Sequence, residues 1–165
     1  MEHIADLLIK FMADYLVVPI VLIGLWALLL RTPPAVRYQR VGRAVLMGLS
    51  ALLIAKIASL LYQGQRPFVA LGEAPKAAYL ANPGFPSDHV LFVFAITAAV
   101  WATTRDVKLT AALLIMSCLV ALGRILALVH TPIDVLGGIG CALLAAVLVY
   151  GRRFFDRHLP SSQPF

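Results

Sequence analysis

The chain has 165 residues, of which 61% are hydrophobic and only 13% are charged, and its mean hydropathy is +0.90. A soluble domain carries about 25% charged residues, so this composition excludes an ordinary soluble protein and predicts an integral membrane protein. The net charge of +6 does not indicate nucleic-acid binding, because the basic residues stand at the ends of apolar segments and form no stripe or patch.

Apolar segments in chain order predict an all-α fold, a polytopic transmembrane helical bundle with five spans. An amphipathic helix at residues 4–13 precedes the first span, because Asp6, Lys10 and Asp14 recur there at helical spacing; it lies at the interface, continuous with the first span or hinged to it. With it, the bundle has six helices in all. The third span is short unless residues 87–89 supply its first turn. The predicted spans are residues 15–30, 41–62, 90–103, 109–129 and 132–150.

The length suits one compact bundle, so residues 1–158 are predicted to form a single membrane domain. The Pro- and Ser-rich stretch at residues 159–165 is predicted to be a disordered tail. Cys118 and Cys141 fall inside apolar segments and are interpreted as small packing residues, with no disulfide or metal framework. The N-terminus has no basic leader, and no cleavable signal peptide is expected.

The distribution of basic residues predicts the orientation of the bundle. One side carries nine of them, which the positive-inside rule makes cytoplasmic, and the opposite side carries four. The nine are Arg31, Arg37, Arg40, Arg43, Arg105, Lys108, Arg152, Arg153 and Arg157, and the four are Lys10, Arg66, Lys76 and Arg124. Four short polar segments then fall together at the outer face: residues 65–68, 85–89, Arg124 and residues 130–134.

The first half of these polar groups has the chemistry of an anion site. Arg66 and Arg124 offer planar, permanently charged forks that match two oxygens of a phosphate. Ser87 occupies an N-cap position before the third span, where free backbone N–H groups and the helix dipole favour an anion. His89 is placed to donate a proton to a leaving oxygen.

The second half has the chemistry of a nucleophile. His130 precedes Thr131-Pro132, which predicts a helix start with Pro at its first position. Asp134, in the first turn of that helix, is close enough to hydrogen-bond one nitrogen of His130. Such a contact fixes the tautomer and leaves the other nitrogen as a nucleophile.

Each residue also has an ordinary structural interpretation, and taken singly these stay open. The arginines and Lys56 are candidates for snorkelling at helix ends. Ser87 is a candidate N-cap alone, Thr131 with Asp134 nearly forms a capping box, and Asp88 favours any helix N-terminus. These interpretations do not explain why the groups converge on one face of a membrane bundle.

The motifs Arg66-Pro67, Pro86-Ser87-Asp88-His89 and Arg124 with His130 and Asp134 resemble the three signature motifs of the type-2 phosphatidic acid phosphatase superfamily. Within it, Arg-Pro-Phe and Phe-Pro-Ser-Asp-His are most similar to the undecaprenyl-pyrophosphate phosphatases of the bacitracin-resistance type. The resemblance covers the second to the fifth span. Two departures stand out: Ser59 occupies the position where the first motif often has Lys, and Gly123 occupies the position where the third usually has Ser.

The resemblance implies a mechanism and a place in the cell. His130 attacks the terminal phosphorus and forms a phosphohistidine, Asp134 orients it, and His89 protonates the departing lipid phosphate, with no metal or other cofactor. The phosphate-binding residues would be Arg66, Ser87, Arg124 and Asp88. The site would face the periplasm or exterior of a bacterial inner membrane.

The leading functional hypothesis is hydrolysis of undecaprenyl pyrophosphate, an isoprenoid lipid pyrophosphate, to the monophosphate during carrier-lipid recycling for cell-wall synthesis. A second is a phosphatase or phosphotransferase for another lipid phosphate of the phosphatidic acid or phosphatidylglycerophosphate type. A third is a non-catalytic lipid-phosphate binder, and the departures from the family motifs at Ser59 and Gly123 give this hypothesis some support. The expected partners are the lipid substrate and membrane lipids; the sequence does not fix an oligomeric state.

Overall fold

The computed structural model describes residues 2–79 and 84–155, without the side chains of Glu2 and Arg152. Within these residues the chain is helical and contains no strand, which confirms the all-α class. The predicted tail at residues 159–165 and Arg157 lie outside the described residues. The helices are α1 Glu2–Lys10, α2 Val17–Leu30, α3 Pro34–Leu61, α4 Pro67–Leu71, α5 Asp88–Thr104, α6 Val107–Leu126 and α7 Pro132–Tyr150.

The N-terminal amphipathic stretch is continuous with the first span. Helix α1 passes through a π-helical turn, Phe11–Tyr15, directly into α2, and the wider turn is closed by Leu16 N–H donating to the Phe11 carbonyl at 3.0 Å. Of the two arrangements left open by the sequence, continuous or hinged, the structure has the continuous one.

The predicted spans agree with the helices to different degrees. Helix α7 begins and ends where predicted, because Pro132 at its first position and the Thr131 N-cap are local signals. Helix α3 begins seven residues earlier than expected, at Pro34, and α6 ends three residues earlier, at Leu126. Helix α5 begins at Asp88, so the residues preceding the apolar run do supply its first turn. The short helix α4 was not predicted.

Within residues 2–79 and 84–155, four helical segments are long and apolar enough to cross a membrane. Helix α5 is apolar but has only 17 residues. It occupies the centre of the bundle, where it packs against α2, α3, α6 and α7. Small residues on facing turns of α5 and α7 let these helices approach closely, as is usual for helices packed in a membrane. They include Ala98, Ala99, Ala102, Ala142, Ala145 and Ala146, all buried.

One end of the bundle is held by arginines that bridge helix termini. Arg31 pairs with Asp106, the N-cap of α6. The Arg40 guanidinium is buried and donates to the Thr103 carbonyl at 2.9 Å, near the end of α5. Arg105 donates to the Phe154 carbonyl. These contacts join α2 to α6, α3 to α5, and the end of α5 to the turn that follows α7. The candidate site lies at the opposite end of the bundle.

Candidate active site

A cavity of about 130 Å³ opens at the end of the bundle where α5 and α7 begin. Five of the seven predicted site residues line it, and the remaining two, Ser87 and Asp134, are buried without lining it. Two residues of the segment before α5, Ala78 and Tyr79, complete the wall. The lining residues are Arg66, Ala78, Tyr79, Asp88, His89, Arg124 and His130.

His130 lies on a short connection between α6 and α7 that is held from several sides. The backbone N–H of His130 donates to the Arg124 carbonyl at 3.3 Å. Leu128 adopts a left-handed conformation with φ of 61°, which is uncommon for a bulky residue and is maintained by its surroundings. The Leu128 carbonyl accepts from Phe68 N–H at 3.0 Å, and the Val129 carbonyl accepts from Arg66 Nη1 at 2.7 Å. Arg66 therefore supports the histidine segment as well as lining the cavity.

Asp134 is the acidic member of a capping box. Its Oδ2 accepts from Thr131 N–H at 2.7 Å, and its own N–H donates to Thr131 Oγ1 at 3.2 Å. The same Oδ2 lies 3.7 Å from His130 Nδ1, which is beyond hydrogen-bond length but close enough for electrostatic attraction. The Asp134 carboxylate thus caps the N-terminus of α7 and also faces the imidazole of His130. The capping role and a role in orienting His130 are therefore compatible with the same side-chain position.

His130 is only 4% exposed, and its surroundings disfavour the imidazolium. Burial lowers the pKa of His130 most, and the positive charges of Arg124 and Arg66 lower it further, whereas Asp134 acts in the opposite direction. The net shift is downward from the ordinary value of 6.5. At neutral pH the uncharged form of the imidazole therefore predominates, which is the form in which a ring nitrogen can act as a nucleophile.

Arg66 and Arg124 are both buried where they line the cavity. Arg66 precedes helix α4, and its guanidinium carbon lies 5.6 Å from the centroid of the Tyr79 ring, within cation–π range. Arg124 is 1% exposed, and its Nη1 donates to Asp14 Oδ1 at 2.8 Å. Among the described residues, Nε of Arg124 is buried without a hydrogen-bond partner.

Ser87 stands at the N-cap of α5, but its side chain makes no capping hydrogen bond. Its Oγ is fully buried and lacks a partner in the part of the chain that the structure describes. Its N–H donates to the Asp134 carbonyl at 3.0 Å. A Cβ at Gly138 would lie 2.8 Å from the Ser87 carbonyl oxygen, so this glycine permits the first turns of α5 and α7 to touch. Ser87 is thereby held next to Asp134 at the start of α7.

Gly123 is explained by packing against the N-terminal helix. A Cβ there would lie 2.7 Å from the backbone nitrogen of Ala13 and 2.8 Å from the Met12 Cβ. A serine at this position would clash with the π-helical turn. The departure from the third motif therefore reflects a close helix contact beside Arg124.

Lys56 and Ser59 line a second cavity of about 430 Å³ between the end of α3 and the start of α5. Asp88 lines both cavities, so they adjoin at this residue. Ser59 Oγ donates to the Lys56 carbonyl at 2.7 Å. The departure at Ser59 thus leaves a lysine one turn away in a cavity next to the candidate site.

Sequence reasoning missed Asp14 as a site neighbour, and Tyr79 was not among the predicted site residues. The spacing of Asp14 with Asp6 and Lys10 indicated only a polar helix face, and no sequence signal marked the π-helical turn that redirects it. As for a metal, residues 2–79 and 84–155 contain no group of three or more His, Cys, Asp or Glu side chains arranged to hold one.

Comparisons with known proteins agree with this geometry. The family model of the PAP2 superfamily matches residues 40–157. The chain is 31% identical over 155 residues to undecaprenyl-diphosphatase BcrC of Bacillus subtilis (strain 168), covering 94% of this chain and 77% of that protein. It is 30% identical over 151 residues to putative undecaprenyl-diphosphatase YbjG of Escherichia coli (strain K12), covering 86% and 72%. No solved structure gives a significant match. The chain therefore belongs to the PAP2 superfamily and is a multi-pass membrane phosphatase.

Proposed function

We propose that the protein hydrolyses undecaprenyl pyrophosphate to undecaprenyl phosphate and inorganic phosphate, in carrier-lipid recycling for cell-wall synthesis. The observation that carries the proposal is the cavity of about 130 Å³ into which two buried arginines and two histidines converge at one end of a membrane bundle. The names of both bacterial relatives, each an undecaprenyl-diphosphatase, support the same substrate. Residues 1–158 would act as one unit.

The reaction would proceed through a phosphohistidine. The neutral His130 attacks the terminal phosphorus through Nε2, since Nδ1 faces Asp134. An N–P bond forms as the bond from phosphorus to the bridging oxygen breaks, and His89 gives its proton to the leaving lipid phosphate. Water then attacks phosphorus and gives a proton to His89, and the N–P bond breaks. Phosphate departs, which leaves His130 neutral and His89 protonated again.

The charged groups would stabilise the transferring phosphoryl group. Arg66 and Arg124, which line the cavity, would bind its equatorial oxygens as charge redistributes. The Ser87 hydroxyl and Arg124 Nε, which lack partners among the described residues, would supply further donors. Asp88, which borders both cavities, would lie between the two phosphates of the substrate. Lys56 in the second cavity would then recognise the lipid-side phosphate.

The orientation follows from the charge bias. The arginine-bridged end would face the cytoplasm, and the site would open to the periplasm or exterior of a bacterial plasma membrane. The alternative of a non-catalytic binder loses support, because Gly123 is required by a helix contact and is no sign of a decayed site.

The direct test measures phosphate release from undecaprenyl pyrophosphate by the purified protein in detergent, with and without a chelator, beside phosphatidic acid as competing substrate. Release should be faster from the pyrophosphate, and His130→Ala should abolish it. His3→Ala is the matched control, because His3 is an exposed histidine on α1 that does not line the candidate site. This variant should keep wild-type turnover.

A labelled terminal phosphate should be trapped on the wild type and not on His130→Ala. Absence of release from every isoprenyl pyrophosphate would refute the proposal. Preference for phosphatidic acid would select the glycerol-lipid alternative.

A further inference from the structure

Arg124 of the third motif forms an ion pair with Asp14, a residue outside the family motifs. Asp14 Oδ1 lies 2.8 Å from Arg124 Nη1, and the two side chains are 14% and 2% exposed. Asp14 lies before residue 40, where the family match begins. We propose that Asp14 is a positioning residue that fixes the phosphate-facing edge of Arg124; this inference rests on the proposed function.

The π-helical turn is what brings Asp14 to the site. Each residue of an α-helix advances the helix by about 100°, so one extra residue in a turn rotates all preceding side chains by that amount relative to α2. Phe11–Tyr15 supplies such a turn, closed by the Leu16 N–H to Phe11 carbonyl bond. Single π-helical turns within longer helices occur frequently at functional sites.

The packing beside this turn leaves no room for another arrangement. Ala13 is fully buried, and Gly123 is the residue whose Cβ would overlap its backbone nitrogen. Since Ala13 precedes Asp14 and Gly123 precedes Arg124, this close contact places the two charged residues side by side.

Asp14 also joins the arginine to the cavity wall. Its Oδ2 accepts from Ala78 N–H at 3.0 Å, and Ala78 and Tyr79 line the cavity. With Nη1 of Arg124 held by Asp14 and Nε unpartnered among the described residues, the guanidinium keeps one edge for an anion. The Asp14 carboxylate therefore fixes the position of the Arg124 guanidinium and that of the cavity-lining segment at Ala78.

The test compares Asp14→Asn with Asp6→Asn in detergent. Asp6 is a matched control, because it lies on the same helix and pairs with Lys76 at 2.9 Å without touching Arg124. Asp14→Asn should lower kcat by about 10- to 100-fold, as for a misplaced catalytic group, with KM changed less than about threefold. Asp6→Asn should leave both constants at wild-type values. Equal behaviour of the two variants would overturn the inference.

A double-mutant cycle separates positioning from general support of the fold. If Asp14 acts through Arg124, then Asp14→Asn should cause no further loss of activity in an Arg124→Ala background; losses that multiply would indicate a purely structural role. Vanadate binding, measured by the shift in Tm, gives the same cycle where turnover is too low to measure. If the wild type binds vanadate but hydrolyses no lipid pyrophosphate, the proposed function fails while the Asp14 inference is still decided by the binding cycle.

Discussion

Both ends of the bundle contain buried arginines, and the two ends use them differently. At the end remote from the site, the Arg40 guanidinium donates to a carbonyl near the end of α5, which satisfies a helix terminus. At the site end, Arg124 pairs with the Asp14 carboxylate and lines a cavity. An arginine that closes a helix end contributes to stability, whereas one that borders a cavity beside two histidines is available to a substrate.

The largest expected effect comes from replacing an arginine by alanine at each of these two ends in turn. Arg124→Ala should lower kcat by about 10²–10³-fold, the usual loss when one donor to a developing charge is removed. Arg40→Ala should leave kcat within about twofold of wild type and lower Tm, because it removes a hydrogen bond that links α3 to α5 at the end remote from the cavity. Turnover and thermal unfolding in detergent check both.

Arg124→Lys guards against a folding artefact, since it keeps a positive charge beside Asp14. It should still lose most of its activity, because an ammonium cannot offer the two-pronged donor geometry of a guanidinium. If Arg40→Ala impaired turnover as much as Arg124→Ala, the distinction between the two ends would be wrong.

The next effect concerns the close approach of the N-terminal helix at the site end. Gly123→Ala would place a Cβ 2.7 Å from the Ala13 nitrogen, and we expect a loss of about 1–3 kcal/mol of stability together with reduced turnover. Gly140→Ala, on α7 with nothing within 4 Å of the added Cβ, is the control. It should raise helix stability by up to about 1 kcal/mol. A well-tolerated Gly123→Ala would contradict the described helix contact.

A pH profile sharpens the electrostatic side of the comparison. Since burial and the two arginines lower the pKa of His130 below 6.5, the imidazole takes up its proton at a lower pH than an ordinary histidine. The acid limb of kcat/KM should therefore lie below pH 6.5. Arg66→Gln removes one of these charges, so its acid limb should move to higher pH even though its rate is lower. An acid limb in the wild type above pH 6.5 would contradict the assignment.

The smallest effect is expected at the opposite end, at the α6 N-cap. Asp106 Oδ1 accepts from Leu109 N–H at 3.0 Å, and this bond, with the contact to Arg31, lowers the pKa of Asp106 below its ordinary value of 3.8. A lowered carboxyl pKa stabilises the fold above the ordinary value and ceases to do so as pH falls through the lowered one. Asp106→Ala should lower Tm slightly at neutral pH with kcat unchanged; an effect on kcat would link the two ends.

The sequence was most informative where the structural signals are local. Thr131, Pro132 and Asp134 predicted the start of α7 because a cap, a proline and a first-turn acid act within four residues. The family resemblance identified the residues around the cavity, of which five line it. Pro34 as the start of α3 was missed because Arg37 and Arg40 resembled a loop, although a buried arginine can hydrogen-bond inside a bundle.

Other features depend on contacts that no local pattern reports. The pairing of Asp14 with Arg124 needs a π-helical turn, and periodicity analysis assumes 3.6 residues per turn throughout. Gly123 resembled a lost hydroxyl until the backbone of Ala13 was found against it. Helix α4 has only five residues, too few to show a period.

The shortness of α5 affects how the protein meets the bilayer. Its 17 residues rise roughly 25 Å, less than the roughly 30 Å of the hydrocarbon layer, while α3 with 28 residues rises roughly 42 Å. The cavity lies at the start of this short central helix. A span shorter than the hydrocarbon layer is accommodated by locally thinner lipid, which would bring lipid headgroups nearer to the cavity.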